Sequence, residues 1–402
     1  MRVPLLDLSE QYRLLTEPIR KELDEIFATQ RFILGPKVEA FEAAICGYCQ
    51  VEHAIGVSSG TDALLAVFMA LGLGAGDAVI TTPFSFFATG GCIARVGATP
   101  VFVDIDPVTL NISPAAVERW IAANCEMNAA GELVTKKGER VRALVPVHLY
   151  GLCCDMNAIG AIAARHNLTV IEDAAQAIGA EYRTSDGGVR QAGTIGEVGC
   201  FSFYPTKNLG AAGDAGLVVC RDAALAEKIS LCRQHGMEER YFHQTIGGNF
   251  RLDEIQAAVL HVKLPYLDGW SAARRAVANT YRELFAQHGL TNVITLPADP
   301  YRGDDGLRNH HIYHQYVIRT RDRDALREHL TQRGVGTAIY YPLGLHQQKC
   351  FEYLGYKEGD LPETERAARE SLALPIHPEL PPDSQRYVVE SIADFFAARA
   401  AA

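Results

Sequence analysis

From Val51 onward, apolar runs of strand length alternate with helical patterns, and most of those runs are continuously apolar. A strand with one wet face alternates apolar and polar residues. A continuous run instead fits a strand covered on both faces, as in a sheet wrapped by crossover helices. The strand candidates are residues 54–58, 78–82, 100–104, 143–149, 169–172, 198–203 and 216–220, with the clearest intervening helices at 63–71 and 157–166. This rhythm predicts an α/β domain, doubly wound around a mostly parallel sheet. A chain of 402 residues exceeds what one ordinary core organises, so a second domain is expected.

Residues 14–49 read as helical with a break at Gly35-Pro36. The polar stretch 124–142, with Gly131 and Gly138, reads as an inserted hairpin or loop. After Arg251 the pattern changes. Leu252, Ile255, Val259, Val262 and Tyr266 recur at three- and four-residue spacing and predict a long amphipathic helix leading into the second domain. That domain should hold a strand near 313–319, a helix over 324–333 and a last helix over 383–398. The expected division is 1–255 for the N-terminal segment and large domain, and 256–402 for a smaller C-terminal α+β domain.

The net charge of −10 and the lack of a Lys/Arg run argue against a nucleic-acid or anionic-membrane partner, since phosphate backbones need a concentrated basic surface. The N-terminus has no apolar signal core, and no stretch approaches the roughly 20 apolar residues that span a bilayer. Cysteines such as Cys92, Cys200 and Cys220 lie in apolar segments, where a reduced thiol behaves as a small hydrophobe. A cytoplasmic location is expected. Cys46-Gly47-Tyr48-Cys49 continues a helical pattern and has no second pair, so metal or redox use is not expected. No metal is expected at His310-His311-Ile312-Tyr313-His314 either, which reads as a loop entering a strand. Gly72-Leu73-Gly74-Ala75-Gly76 follows a helix and precedes a strand, the reverse of a dinucleotide fingerprint, and reads as a helix-ending turn.

Four segments carry candidate chemistry. Ser58-Ser59-Gly60-Thr61-Asp62-Ala63-Leu64 runs from a strand end through glycine into a helix, where free N–H groups and the helix dipole favour an anion; an ordinary N-cap is the plainer alternative. Val170-Ile171-Glu172-Asp173-Ala174-Ala175-Gln176 delivers carboxylates to the end of a buried strand, the edge where open α/β sheets bind ligands; taken alone, Asp173 reads more readily as a helix cap than as a catalytic acid. Cys200-Phe201-Ser202-Phe203-Tyr204-Pro205-Thr206-Lys207 ends on a lysine followed by the glycine-rich, nearly uncharged 208–216, which suits a buried lysine better than a surface one. Ile246-Gly247-Gly248-Asn249-Phe250-Arg251-Leu252-Asp253 is a polar turn opening the long helix, and Asn249 and Asp253 could simply cap it.

Together these segments resemble the DegT/DnrJ/StrS type of sugar-nucleotide aminotransferases, a branch of the aspartate-aminotransferase fold, fold type I. The resemblance runs from Phe32-Ile33-Leu34-Gly35-Pro36 to Leu374-Pro375-Ile376-His377-Pro378. It implies pyridoxal 5'-phosphate as cofactor, held as a Schiff base by Lys207, with Asp173 pairing with the ring nitrogen and Gln176 near the ring hydroxyl. Gly60, Thr61 and Ser202 would hold the phosphate, joined by Asn249 from a partner subunit of a homodimer with shared active sites. Phe86 would stack on the ring, while Phe84 and Phe87 could be core residues. His148, in Pro146-Val147-His148-Leu149-Tyr150-Gly151, is implied as a catalytic residue on the substrate side, and Tyr340-Tyr341-Pro342 and His346 would border the sugar pocket.

The implied reaction moves an amino group from L-glutamate to a nucleotide-linked keto sugar, for a surface polysaccharide or a glycosylated metabolite. A sugar dehydratase is one rival. Relatives that dehydrate carry histidine in place of the lysine, which disfavours it. A non-catalytic regulator retaining the fold is the other, disfavoured by intact Lys207, Asp173 and Gln176. Which sugar, which nucleotide and whether C3 or C4 is aminated are not legible.

Overall fold

The computed structural model describes residues 1–400. Seven strands form the main sheet: β1 (His53–Val57), β2 (Asp77–Thr81), β3 (Thr99–Phe102), β4 (Arg140–Val145), β5 (Thr169–Asp173), β6 (Val198–Ser202) and β7 (Gly216–Cys220). Their spatial order is β1-β7-β6-β5-β4-β2-β3. All pairings are parallel except those of β7, which runs antiparallel to both β1 and β6. All seven strands coincide with the continuously apolar runs.

Both faces of this sheet are covered, which is why its strands do not alternate. Ala54, Ala78, Ile80 and Phe201 join one core beneath α2 (Pro36–Cys49) and the helices Pro114–Asn124, Met156–His166 and Glu254–Lys263. Their strand neighbours Ile55, Val79 and Cys200 point into a second core beneath α3 (Gly60–Ala70), α4 (Ala88–Arg95) and Ala223–Arg233. The N-terminal helix α1 (Ser9–Thr29) lays Leu15 and Ile19 on Val259. Cys46 and Cys49 sit within α2, and the turn 72–76 ends α3 with Gly72 and Gly76 at positive φ.

Stretch 124–142 is a hairpin of Cys125–Met127 and Leu133–Thr135 that pairs through Val134 to Arg140, the first residue of β4. It therefore extends the amino edge of the sheet. Toward the C-terminus an antiparallel pair, β8 (Tyr316–Arg319) and β9 (Ser371–Leu374), shares a separate hydrophobic core with helices Leu267–Gln287, Arg323–Gln332 and Pro382–Ala400. That core holds Tyr281, Tyr316, Leu326, Val388 and Ile392. The periodic run after Arg251 is two helices joined by a 3-10 turn at Leu264–Tyr266. Ala257, Leu260 and Leu267 belong to the core of the main sheet, Val277 opens the core around β8 and β9, and Val3 returns to the latter from the N-terminal end. Among the described residues no helix is long and apolar enough to cross a membrane.

Candidate active site

The parallel strands place their carboxyl ends on one edge of the sheet, and the loops leaving β1, β2, β5 and β6 bring the expected residues together there. After β1, Ser59 caps α3: its backbone is extended and its Oγ accepts the Asp62 N–H at 3.0 Å. The N–H groups of Gly60 and Thr61 lie in the first helical turn, which has no intrahelical acceptors, and the dipole adds partial positive charge. A Cβ on Gly60 would sit 2.7 Å from the Ser202 Cβ, so only glycine lets this turn close on the end of β6. That juxtaposition of free N–H groups and the Ser202 hydroxyl is a cradle for a phosphate.

Asp173 ends β5 with only 5% of its surface exposed. Its Oδ2 accepts the Thr89 hydroxyl at 2.8 Å and its Oδ1 accepts the Ala175 N–H at 3.2 Å. Thr89 in turn lies 2.9 Å from the Ser85 hydroxyl; because the Thr89 proton goes to Asp173, Ser85 is the donor in that contact. Burial raises the Asp173 pKa, opposed by these hydrogen bonds and by the charge of Lys207. Lys207, in the loop after β6, is half-buried. Burial pulls its pKa down to about 8, with Asp173 resisting the shift.

Gln176 is buried with both ends of its amide engaged. Its Oε1 accepts the Tyr150 N–H at 2.7 Å and its Nε2 donates to the Tyr341 hydroxyl at 3.0 Å. Tyr150 is held at φ 58°, a conformation a bulky side chain adopts only under constraint. Of three phenylalanines after β2, Phe84 is fully buried and Phe87 leans on Phe351, whereas Phe86 is 60% exposed. Asn249 is exposed on the strap that runs back along β1, where Ser58 N–H donates to Phe250 O.

The structure corrects the placement of His148 on the substrate side. Its side chain is fully buried, with Nε2 2.7 Å from Glu172 Oε2 and Nδ1 accepting the Cys154 N–H at 3.1 Å. An Nδ1 that accepts leaves the proton on Nε2, so the imidazole donates to Glu172. Glu172 also accepts N–H bonds from Gly193, Ile195 and Gly196 at 2.6–2.8 Å. The reason is strand geometry: Glu172 and Asp173 are successive residues and point to opposite sides. His148 follows Glu172 into the interior. His346 is likewise buried, 3.3 Å from Glu365, while Tyr341 reaches the site through Gln176. Sequence reading missed Thr89 and Ser85. Their signal was the hydroxyl pair four residues apart, Ser85 and Thr89, flanking the phenylalanines at a strand end.

Pyridoxal phosphate demands an anion cradle, a carboxylate for its ring nitrogen and an amine for its carbonyl carbon. Gly60, Thr61 and Ser202, then Asp173, then Lys207 supply these from three loops of one edge, and the residues present fit the group.

Comparisons with known proteins bear on the family and the fold. The family model of the DegT/DnrJ/EryC1/StrS aminotransferase family matches residues 14–393. A "pleiotropic regulatory protein" of Geobacillus stearothermophilus is 49% identical, covering 98% of this chain and 99% of its own. A dTDP-3-amino-3,4,6-trideoxy-alpha-D-glucose transaminase of Streptomyces venezuelae is 38% identical over 98% of this chain and 96% of its own. The crystal structure of S. venezuelae DesV in complex with a ketimine intermediate superposes with a TM-score of 0.87 at 38% identity, covering 98% of each chain.

Proposed function

Because this chain belongs to the DegT/DnrJ/EryC1/StrS aminotransferase family, whose members depend on pyridoxal phosphate, we propose that it moves an amino group from L-glutamate onto the C3 keto carbon of a nucleotide-linked sugar. It is a fold-type-I aminotransferase. The C3 assignment rests on the 3-amino product named for the Streptomyces transaminase. The product serves a surface polysaccharide or a glycosylated metabolite.

One observation carries the catalytic reading: a half-buried lysine with its pKa near 8 stands close enough to a buried carboxylate for their charges to couple. Bound pyridoxal phosphate supplies the electron sink that lets a substrate carbon lose its proton. The chain does the rest. Asp173, oriented by Thr89 and Ala175, would hold the ring nitrogen in its protonated form. At ~4 Å and an effective dielectric of ~20 such a pair interacts by about 4 kcal/mol. Gly60, Thr61, Ser202 and Asn249 of the partner subunit would hold the phosphate, while Phe86 would cover the ring and Gln176 would lie near its hydroxyl. Lowered to about 8, the Lys207 pKa favours the neutral amine far more than that of a solvated lysine does. That amine can then take and return a proton at Nζ, a positioned transfer worth roughly 10²–10⁴-fold.

The working unit is a homodimer with shared sites. Tyr241, Phe242 and Ile246, exposed on the segment before Asn249, support a covering subunit. Ten unpaired cysteines support a reducing, cytoplasmic location. A second reading, a regulator that retains the fold, is favoured by the name of the 49% identical relative. Assaying purified protein with glutamate and a panel of nucleotide-linked 3-keto and 4-keto sugars tests both. Turnover of a 3-keto sugar supports the proposal. A glutamate half-reaction without any sugar acceptor removes the substrate assignment, and no half-reaction at all favours the regulator.

A further inference from the structure

Lys263 ends the helix Glu254–Lys263 with only 2% of its surface exposed. Its ammonium meets no carboxylate among the described residues, and burial pulls its pKa down to about 8. Instead Nζ lies 5.0 Å from the ring centre of Tyr12, from α1, and 5.9 Å from that of Trp270, from Leu267–Gln287. It donates to the backbone oxygen of Gly210 at 2.5 Å. Burying an unpaired cation is expensive, and aromatic faces offset only part of that cost. A methionine would fill the same volume at no such cost. What lysine adds is a charged donor aimed at one carbonyl, three residues beyond Lys207.

That carbonyl belongs to the loop that carries Lys207. The loop is closed at its base by Ala211 N–H to Phe203 O and Lys207 N–H to Tyr204 O, both 2.8 Å. Its two arms touch backbone to backbone: a Cβ on Gly210 would lie 2.3 Å from the Pro205 oxygen. Seven residues before Lys263, on the same helix face, Gln256 Oε1 accepts the Ala212 N–H at 2.9 Å. The helix thus grips the loop's outgoing arm at two points, Gly210 and Ala212. We propose that Lys263 is a positioning residue for the reaction, its ammonium in the Tyr12–Trp270 box pinning Gly210 and so fixing where the Lys207 amine stands.

This inference rests on Lys207 being the lysine that holds the cofactor, and borohydride reduction with peptide mapping of the wild type tests that separately. Given an adduct on Lys207, the holoenzyme variant Lys263→Met should lose about tenfold or more in the single-turnover rate with glutamate. The glutamate concentration for half-saturation should change less than about threefold, and Lys263→Arg should recover most of the rate. In the apo-protein, amide exchange over residues 204–211 should quicken by about tenfold in Lys263→Met while strands β4 and β5 keep their protection. An unchanged rate and unchanged exchange in Lys263→Met, or an arginine variant as impaired as the methionine one, overturns the proposal. If Lys263→Met does not fold, Trp270→Leu decides instead. It opens one wall of the box and should raise exchange over 204–211 by about threefold, and unchanged exchange there overturns the proposal.

Discussion

Thr89 donates its hydroxyl proton to Asp173 Oδ2 across 2.8 Å, joining the first turn of α4 to the end of β5 inside a buried contact. A carboxylate so held is aimed before any ligand arrives, which is the arrangement that lets a charge act without reorganisation. Asp173→Ala should retain cofactor through the phosphate contacts yet lose turnover by about 10³-fold, the equivalent of the ~4 kcal/mol at stake in the ion pair. Thr89→Val should fall about 10–150-fold, one charged hydrogen bond's worth. Steady-state kinetics of cofactor-saturated variants measures both. A fall of less than tenfold in Asp173→Ala would reduce Asp173 to a structural residue.

Lys207 should declare itself by its proton. In the apo-protein, labelling by an amine-directed reagent should show a midpoint near pH 8, well below that of an ordinary lysine. In the holoenzyme, borohydride should bleach the visible band and fix the cofactor to this residue, and mapping to any other lysine refutes the assignment. Stability follows with a definite sign. The folded pKa lies below the unfolded one, so the penalty for holding the charged amine is fully present below pH 8 and is relieved as pH rises toward the unfolded value. Apo Lys207→Met should therefore melt higher than wild type at pH 7, with the gap closing toward pH 10. A gap that widens with pH would mean the lysine is not strained by burial.

His148 should prove a stability residue. His148→Ala removes one of four donors to Glu172 and orphans the Cys154 N–H, so urea unfolding of the apo-protein should show a loss of about 3 kcal/mol. Turnover per folded molecule should stay within about tenfold of wild type. The reverse pattern, intact stability with turnover down by orders of magnitude, would return His148 to the chemistry.

What could be read from the residues divides along physical lines. The β strands of the main sheet were legible because burial on two faces leaves a continuous apolar run, as in Gly216–Cys220. Strand β9, Ser371–Leu374, was not marked, since four residues ending at a proline carry too little pattern to separate a strand from a loop. Lys207, Asp173, Gly60 and Ser202 were gathered from motifs, and the carboxyl edge brings them together. Side-chain direction was harder. Alternation along Thr169–Asp173 implies that Glu172 and Asp173 diverge, so a buried Glu172 demanded an interior partner, and His148 was available for it. Thr89 lay hidden because its role depends on a contact between residues 84 positions apart.

Asn249 offers the sharpest test of the shared site. It is exposed in a segment whose hydrogen bonds, Gly248 N–H to Cys232 O and Phe250 N–H to Arg233 O, leave its side chain free. An amide bonded to a phosphate oxygen contributes about 1.5–3 kcal/mol, so Asn249→Ala should weaken cofactor binding roughly 10–150-fold. Loss of affinity alone does not say which subunit supplies the amide, but subunit exchange does. Mixing chains that carry both Asn249→Ala and Lys207→Ala with wild-type chains gives heterodimers with a single intact lysine. If Asn249 acts across the interface, the intact lysine faces a subunit lacking the amide, and its site binds cofactor as weakly as Asn249→Ala. If Asn249 acts within its own chain, that site keeps wild-type affinity, and the shared-site arrangement is wrong. Fluorescence titration of the isolated heterodimer with pyridoxal phosphate distinguishes the two, because the predicted difference of at least about tenfold exceeds the scatter of such titrations.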